Sequence, residues 1–453
     1  MKVHFIAIGG SVMHNLAIAL HKKGYEVTGS DDQIFEPSYS RLKNVQLLPD
    51  EEGWNKDRIH PQLDAVILGM HAKPDNQELQ KARELKLPIY SFPKYLYEQT
   101  KEKKRIVIGG SHGKTTITSM VMHVLKDNQI GFDYMVGSQI KGFDTMVRLE
   151  KENRIAVFEG DEYLSSPIDP TPKFHVYRPH IALISGIAWD HINVFPTFEN
   201  YQEQFSEFSR RIEDNGTLIY YREDPLVLEI ARNARGDIQK LGYTLPSYTQ
   251  EEDNLYLRHN QKYYPLRIFG SHNLQNLEGA RLICEQVGVS REQFYHSIQS
   301  FEGASRRLEL IAENGTSRAY MDFAHAPSKL NATVKAVKEM YPGKKLIACM
   351  ELHTFSSLNH NFLSEYSGTM HEADCAYVFY SPEAIEHKGL AMLEPAQIQE
   401  AFGASRLKVF SDVQQLLDDL NRQDMKNTVL LFMSSGNFGG IDLKKESNRL
   451  LRG

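Results

Sequence analysis

The sequence predicts an α/β protein of three domains: a Rossmann-like N-terminal domain, a central α/β domain of the P-loop type and a Rossmann-like C-terminal domain. Short apolar runs alternate with segments of helical periodicity, which is typical of parallel sheets covered by helices. A chain of 453 residues suffices for about three domains at ~150 residues each. Glycine turns follow strand-like runs at two places, as in nucleotide-binding βαβ units.

The first domain, residues 1–99, begins with a strand, a glycine turn, a helix and a second strand, read from KVHFIAI, GGS, VMHNLAIALHKKG and YEVTGSD. The turn has Gly9 and Gly10 but lacks the third glycine of the dinucleotide fingerprint. That absence argues against a nicotinamide dinucleotide, and so against an oxidoreductase, more than against a nucleotide in general. Asp31 ends the second strand, where a carboxylate meets a ribose in such folds; a structural turn with a helix-capping aspartate is the alternative.

The second domain, residues 100–302, follows a charged segment, Glu98–Ile106, which we interpret as a linker. It opens with RIVIGGSHGKTTITSM, a strand, a glycine loop and a helix. Ile108 stands where the strict phosphate-loop motif has its first glycine, which leaves a shorter G-x-x-G-K-T-T. Backbone N–H groups and the helix dipole would still converge on an anion, with Lys114 near the phosphates and Thr115 on Mg²⁺. An ordinary glycine turn with a solvated lysine is the alternative.

Acidic residues follow another strand of this domain, RIAVFEG, and comprise Glu159, Asp161 and Glu162. Carboxylates at the carboxyl end of a strand, in the same unit as a phosphate loop, suit a cation held on nucleotide phosphates. A solvated acidic turn is the alternative. His191 follows the strand HIALISG and is expected at the same sheet edge.

Further candidate residues lie at the end of the second domain and in the third domain, residues 303–453. Asn273, at a predicted helix start, either caps the helix or reads an adenine edge. Arg306 and Arg307 could clamp a transferring phosphoryl group. Asp322 and His325 follow a strand. The other predicted strands of this domain are KLIACMEL, CAYVFYS, LKVFS and TVLLFM.

Composition excludes several function classes. The net charge is −6, with 52 basic and 58 acidic residues and no long basic run, so we expect no nucleic-acid and no membrane partner. Apolar residues make up 41% of the chain, and no apolar stretch is long enough to span a bilayer. Three cysteines without short spacing predict neither zinc nor a disulfide framework. We therefore expect a cytoplasmic protein.

Taken in order, these motifs resemble those of the Mur ligases, ATP-dependent amide-forming enzymes of peptidoglycan synthesis. The motifs are G-[TS]-x-G-K-T-T, E-x-D-E, D-H after a strand, G-x-H-N-x-x-N, R-R and D-x-x-H, and they extend over nearly the whole chain. The shortened glycine loop is the form that this family has.

The resemblance implies ATP and Mg²⁺ as cofactors, and UDP-N-acetylmuramate and a murein peptide as partners of a monomer or weak homodimer. It implies an acyl phosphate intermediate, formed when the muramyl carboxylate attacks the γ-phosphate. The implied catalytic residues are Lys114, Glu159 and His191, and the implied magnesium ligands are Thr115, Glu159 and His191. The implied ATP contacts are Gly110, Ser111, His112, Gly113, Lys114, Thr115, Thr116, Asn273, Arg306 and Asp322. The implied UDP-sugar contacts are Gly9, Gly10, Ser11, Asp31 and His71, and the implied acceptor contacts are His325 and His353.

Within the family, the resemblance favours the branch that adds L-alanyl-γ-D-glutamyl-meso-diaminopimelate to UDP-N-acetylmuramate during recycling. DEYLSSPIDPTPKFHVYRPH, RRLEL and SSGNFGG are similar to that branch. The L-alanine ligases of de novo synthesis are the alternative, and a P-loop nucleotide switch is an alternative of a different class. The chain departs from the family pattern at Gly186, Ala188 and Ala326, and it has His353 but no arginine in MELHTFSSL.

Overall fold

The computed structural model describes residues 1–189, 194–304, 307–403 and 406–452. The chain divides into two compact units, each built from two segments. The first unit comprises Met1–Leu245 and Gln275–Ile298, and the second comprises Pro246–Leu274 and Gln299–Gly453.

The N-terminal sheet has four parallel strands in the order β2-β1-β3-β4. Its strands are β1 (Lys2–Ile6), β2 (Glu26–Ser30), β3 (Ala65–Leu68) and β4 (Ile89–Ser91). Its helices are α1 (Ser11–Lys22), α2 (Ser38–Asn44), α3 (Gln77–Glu84) and α4 (Phe92–Thr100). The central strand β3 is apolar and buried at every position, as expected for a parallel sheet covered on both faces.

The second sheet belongs to the same unit and has seven strands in the order β13-β12-β11-β5-β8-β6-β7. Its strands are β5 (Lys104–Gly109), β6 (Phe132–Met135), β7 (Val147–Arg148), β8 (Ile155–Glu159), β11 (Ile181–Ile184), β12 (Thr217–Tyr221) and β13 (Gln239–Tyr243). All neighbouring strands pair in parallel except β6 and β7. The carboxyl ends of β5, β8 and β11 therefore lie side by side at one edge, which is where ligands collect in such sheets.

A small antiparallel hairpin interrupts this domain between β8 and β11. It consists of β9 (Leu164–Ser166) and β10 (Asp169–Pro172) and leads into the short helix α6 (Lys173–Val176). The remaining helices around the second sheet are α5 (Lys114–Asp127), α7 (Phe198–Arg210), α8 (Pro225–Asn233), α9 (Ser271–Glu285) and α10 (Arg291–Ile298).

The segment Glu98–Ile106 is not the linker that we predicted. Helix α4 continues to Thr100 and β5 begins at Lys104, so only three residues separate them. Arg105 explains this order, because its side chain is buried and donates to the carbonyl oxygens of Thr100 and Tyr177. Arg105, which stands in a charged segment of the sequence, thus stabilises the junction between α4 and β5.

The second unit contains two sheets. A three-stranded antiparallel sheet consists of β14 (Tyr248–Glu251), β15 (Asn254–His259) and β16 (Lys262–Leu266). A six-stranded sheet has the order β17-β18-β22-β19-β20-β21, and β17 is its one antiparallel strand. Its strands are β17 (Glu309–Glu313), β18 (Arg318–Asp322), β19 (Lys345–Leu352), β20 (Cys375–Tyr380), β21 (Leu407–Phe410) and β22 (Thr428–Met433). Its helices are α11 (Pro327–Met340), α12 (Pro382–His387), α13 (Pro395–Phe402), α14 (Val413–Asn421) and α15 (Leu443–Arg452).

Three sheets dominated by parallel strands confirm the predicted α/β fold of three domains. Residues 246–274, which we assigned to the second domain, group with the second unit. The limits of 1–99, 100–302 and 303–453 remain predictions. Among the described residues, no helix is both long and apolar enough to cross a membrane.

Candidate active site

The phosphate loop joins the end of β5 to the start of α5, and two of its glycines hold conformations that other residues rarely adopt. Gly110 has φ +131° and Gly113 has φ +78°. A Cβ atom at Gly110 would lie 2.1 Å from Ser185 Oγ, and one at Gly113 would lie 2.2 Å from Asn276 Oδ1. Both positions therefore require glycine, because any other residue would bring a strained φ and a steric clash.

Lys114 is the first residue of α5, and its ammonium group is held inside the site. It donates to Gly110 O and to Glu162 Oε2, both at 2.7 Å. Burial alone would lower the pKa of Lys114, but the charges of Glu162, Asp161 and Glu159 outweigh it and raise that pKa above its usual value. Lys114 is therefore a firmly charged cation, and the alternative of a solvated side chain is wrong.

Glu159 ends β8 beside the first turn of α5, and its carboxylate is buried. Thr115 Oγ1 donates to Glu159 Oε1 at 2.7 Å, and Gly137 N donates to Glu159 Oε2 at 2.9 Å. A hydroxyl and a carboxylate in contact at a phosphate loop are the oxygen donors that Mg²⁺ prefers, so the donor set fits this ion. His191, the third predicted ligand, lies outside the described residues.

The rest of the acidic segment is paired with lysines, so the alternative of a solvated acidic turn is wrong. Lys173 Nζ lies 2.6 Å from Asp161 Oδ2, and Lys114 pairs with Glu162. Burial would raise the pKa of Asp161, but Lys173 and Lys114 together lower it. Sequence reasoning named Asp161 and Glu162 only as part of the acidic run and did not identify Lys173 as the partner of Asp161.

The loop is also fixed from the segment that follows β11. Ser111 N donates to Gly186 O at 3.0 Å, and Ala188 N donates to Ser111 Oγ at 2.9 Å. The side chain of Ser185 donates to His112 O. Because the contacts at Gly186 and Ala188 use backbone atoms, these two departures from the family pattern leave the support of the loop intact.

In the first domain, the structure brings Asp31 to the glycine turn. Asp31 Oδ2 accepts from Gly9 N at 2.7 Å, so this carboxylate does not cap a helix. Burial, with a smaller contribution from Asp32, raises the pKa of Asp31 to about 7. Gly10 and Ser11 begin α1, and His71 lies after β3, exposed. The pKa of Asp32 is lowered, mainly by its hydrogen bond with Asp31 and to a smaller extent by the charge of His71.

The remaining predicted residues lie in the second unit. Asn273 is the third residue of α9, and its amide donates to Phe269 O at 2.9 Å, so the alternative of a helix cap is wrong. Asp322 ends β18 and accepts from Leu308 N and Ala324 N, each at 2.7 Å. It thereby fastens the chain just after Arg306, which itself lies outside the described residues.

The two predicted acceptor residues follow neighbouring parts of the six-stranded sheet. His325 follows β18, and the hydroxyl of Tyr366 donates to its carbonyl oxygen. His353 follows β19, half exposed, with Nδ1 3.8 Å from Glu351 Oε1. Because β18 and β19 flank β22 in parallel, both histidines lie at the carboxyl edge of this sheet.

Three consecutive parts of the chain match the domains of a single family. Residues 2–104 match the Mur ligase family catalytic domain, residues 108–284 the Mur ligase middle domain, and residues 306–436 the Mur ligase glutamate ligase domain. With the phosphate loop and the three sheets, these matches show that the chain belongs to the Mur ligase family. It is an ATP-dependent ligase that forms amide bonds.

Individual relatives cover almost the full length. The chain is 28% identical to the UDP-N-acetylmuramate–L-alanine ligase of Aquifex aeolicus, over 96% of this chain and 95% of that protein. It is 26% identical to the UDP-N-acetylmuramate–L-alanyl-γ-D-glutamyl-meso-2,6-diaminoheptandioate ligase of Haemophilus influenzae, over 98% of each. The crystal structure of the UDP-N-acetylmuramate–alanine ligase MurC from Thermotoga maritima has the same fold, with a TM-score of 0.71 at 21% identity, covering 100% of this chain and 98% of that one.

Proposed function

We propose that this ligase joins the tripeptide L-alanyl-γ-D-glutamyl-meso-diaminopimelate to UDP-N-acetylmuramate, in the recycling of peptidoglycan. The observation that carries this proposal is the segment 161–180, whose sequence is similar to that of the peptide-adding branch. It contains a folded hairpin, with Ser166 paired to Asp169, Leu164 paired to Pro172, and Ser165 Oγ donating to Thr171 O at 2.6 Å. The relative from Haemophilus influenzae, which carries that activity in its name, supports the same choice.

We assign ATP to the loop Gly110–Thr116, and the family resemblance implies Asn273, Arg306 and Asp322 as further ATP contacts. Two left-handed glycines, a charged lysine and a helix start make this loop suitable for phosphate oxygens. Thr115 and Glu159, with His191, would hold Mg²⁺. When bound, the ion would offset the negative charge of the phosphates.

The reaction proceeds through an acyl phosphate. The muramyl carboxylate oxygen attacks the γ-phosphorus of ATP, the bond to the β-γ bridging oxygen breaks, and ADP leaves. The peptide amine then attacks the acyl carbon, inorganic phosphate leaves, and the amine loses a proton. Lys114 would stabilise the charge that develops on the phosphate oxygens during the first step, because its ammonium is fixed by Gly110 O and Glu162 Oε2.

The two other domains would bind the remaining substrates. The turn of Gly9, Gly10 and Ser11, with Asp31 and His71, would bind the uridine nucleotide. The carboxyl edge of the six-stranded sheet, with His325 and His353, would bind the peptide. The lack of an arginine beside His353 bears on which peptide is bound in this acceptor region, and it does not affect the ATP chemistry.

L-Alanine is the second candidate acceptor. The relative from Aquifex aeolicus favours it, since that protein is named for L-alanine addition and matches at 28% identity over nearly both whole chains.

The deciding experiment measures ADP release by the purified protein with ATP, Mg²⁺ and UDP-N-acetylmuramate, and compares the tripeptide with L-alanine. Release that depends on the tripeptide supports the proposal, and release with L-alanine assigns the protein to de novo synthesis. The Lys114→Met variant is the control for contaminating ATPases. Release that ignores both acceptors would contradict both substrate proposals and favour a nucleotide switch.

A further inference from the structure

A relay of hydrogen bonds lies behind the phosphate loop and ends at Lys114. Tyr201 Oη donates to Glu162 Oε1 at 2.9 Å, and Glu162 Oε2 accepts from Lys114 Nζ at 2.7 Å. On its other side, Tyr201 Oη lies 2.9 Å from Ser111 Oγ. Tyr201 and Glu162 are both 0% exposed, so water does not compete for these bonds.

The proton positions of this relay follow from the chemistry of its groups. A carboxylate only accepts, so Tyr201 must give its single hydroxyl proton to Glu162. Ser111 therefore donates its own proton to Tyr201 Oη and accepts from Ala188 N at 2.9 Å. All bonds then point toward Glu162, and Tyr201 couples the loop residue Ser111 to the carboxylate that holds Lys114.

Packing fixes the phenol ring of Tyr201. It lies on α7, and its centroid is 5.4 Å from that of Phe195 and 5.2 Å from that of Phe205. Its hydroxyl can therefore act as a rigid reference point for Glu162.

The ammonium group of Lys114 has one N–H that is not used in a hydrogen bond to the described residues. An ammonium group has three protons, and Gly110 O and Glu162 Oε2 take two of them. Among the described residues no further acceptor contacts this ammonium, so its third N–H is available to a phosphate oxygen. The position of Glu162 decides where that N–H points.

We propose that Tyr201 is a positioning residue for the phosphate loop, which acts through Glu162 and Ser111 to aim Lys114 at the transferring phosphoryl group. This proposal rests on the assignment of the loop to ATP. Neither the sequence motifs nor the resemblance pointed to Tyr201, because at its place in α7 an aromatic residue is expected simply as core.

The test compares Tyr201→Phe with Tyr177→Phe. Tyr177 is a matched control, because it is equally buried in the same unit and, among the described residues, its hydroxyl has no hydrogen-bond partner. We expect Tyr201→Phe to lower kcat/KM for ATP about 10-fold, mainly through kcat, since a buried charged acceptor loses a donor. The KM for UDP-N-acetylmuramate should stay at the wild-type value, and Tyr177→Phe should match the wild type in all constants.

A double-mutant cycle with Glu162→Gln separates positioning from a general packing effect. If Tyr201 acts through Glu162, removing its hydroxyl in the Glu162→Gln background should have little further effect. Equal losses in both backgrounds, or wild-type kinetics for Tyr201→Phe, would overturn the proposal.

A thermal unfolding curve accompanies each variant. If Tyr201→Phe unfolds earlier than Tyr177→Phe, Ser111→Ala carries the test in the wild-type and Glu162→Gln backgrounds. Because Ser111 is also a proposed ATP contact, only a loss confined to the wild-type background reports on the relay. We expect the same loss of kcat, and wild-type kinetics would again overturn the proposal. A wild-type protein without acceptor-dependent ADP release would count instead against the proposed function, and this is seen before any variant is compared.

Discussion

The first two domains both begin with a strand, a pair of glycines and a helix, yet their turns are chemically opposite. In the first, a buried carboxylate from Asp31 accepts the N–H of Gly9 at 2.7 Å. In the second, the glycines precede a partly buried ammonium from Lys114, which pairs with Glu162. The first turn presents a group that repels phosphate when it is ionised, and the second presents one that attracts it.

The backbones of the two turns differ as well. In the phosphate loop the left-handed positions belong to glycines, Gly110 and Gly113. In the first turn Gly9 and Gly10 have ordinary negative φ, and the left-handed residue is Ala7, with φ +68°. The difference teaches that a glycine pair after a strand does not by itself define an anion site. The charge of the residues that the fold brings to the turn decides what it binds.

Removing the cation of the second turn should have the largest effect. We expect Lys114→Met to lower kcat for acceptor-dependent ADP release about 1000-fold, because an oriented charge at the transferring phosphoryl group is lost. Steady-state kinetics measures this, with circular dichroism as the control for folding. A loss of less than about 10-fold would remove the contrast between the two turns.

The carboxylate of Asp31 in the first turn should make the free energy of unfolding depend on pH. The native Asp31 keeps its proton up to about pH 7, whereas an unperturbed aspartate loses it near 3.8. The folded state therefore binds more protons between these values, and its contribution to stability falls as the pH rises through this window. Relative to Asp31→Asn, the wild type should lose on the order of 3 kcal/mol of unfolding free energy from pH 4 to pH 7.

Urea unfolding of both proteins at a series of pH values measures this difference. Asparagine keeps an oxygen that accepts from Gly9 N, so the comparison isolates ionisation. A difference between the two proteins that does not change with pH would show that Asp31 is not held protonated, and the two turns would then be less different than we infer.

Adding a methyl group should distinguish the two backbones. Gly113→Ala forces a side chain into φ +78° and places Cβ 2.2 Å from Asn276 Oδ1. We expect a loss of about 2 kcal/mol in the free energy of unfolding. Gly10→Ala is the matched control: Gly10 has φ −57°, and the nearest side-chain atom would be 3.3 Å away, on flexible Met13. Equal losses by urea titration would contradict the backbone contrast.

The smallest effect is expected at Ala7. Glycine at this position would relieve the left-handed strain, but it would also increase the entropy of the unfolded chain, and these terms nearly cancel. We expect Ala7→Gly to change the free energy of unfolding by less than about 1 kcal/mol. A larger gain in stability would mean that Ala7 carries as much backbone strain as a residue other than glycine would carry at Gly110 or Gly113.

Local patterns sufficed for much of the molecule. The strands β1, β5, β8, β11 and β22 were readable as apolar runs, since parallel strands are buried on both faces. The hairpin β9–β10 and the antiparallel strands β14–β16 were not, because they are short and partly polar. The linker interpretation of Glu98–Ile106 was wrong because charge along the chain does not reveal that Arg105 is buried.

The sequence alone determined the three-domain α/β fold, the phosphate loop and the acidic segment, since each rests on residues close together in the chain. Only the tertiary structure decided which charges meet. Lys114 is paired with Glu162, 48 residues away, and Tyr201 reaches Ser111 across 90 residues. Asp31 becomes a partner of Gly9 only when β1 and β2 pair. Pair contacts of this kind depend on sheet order and burial, which no local pattern encodes.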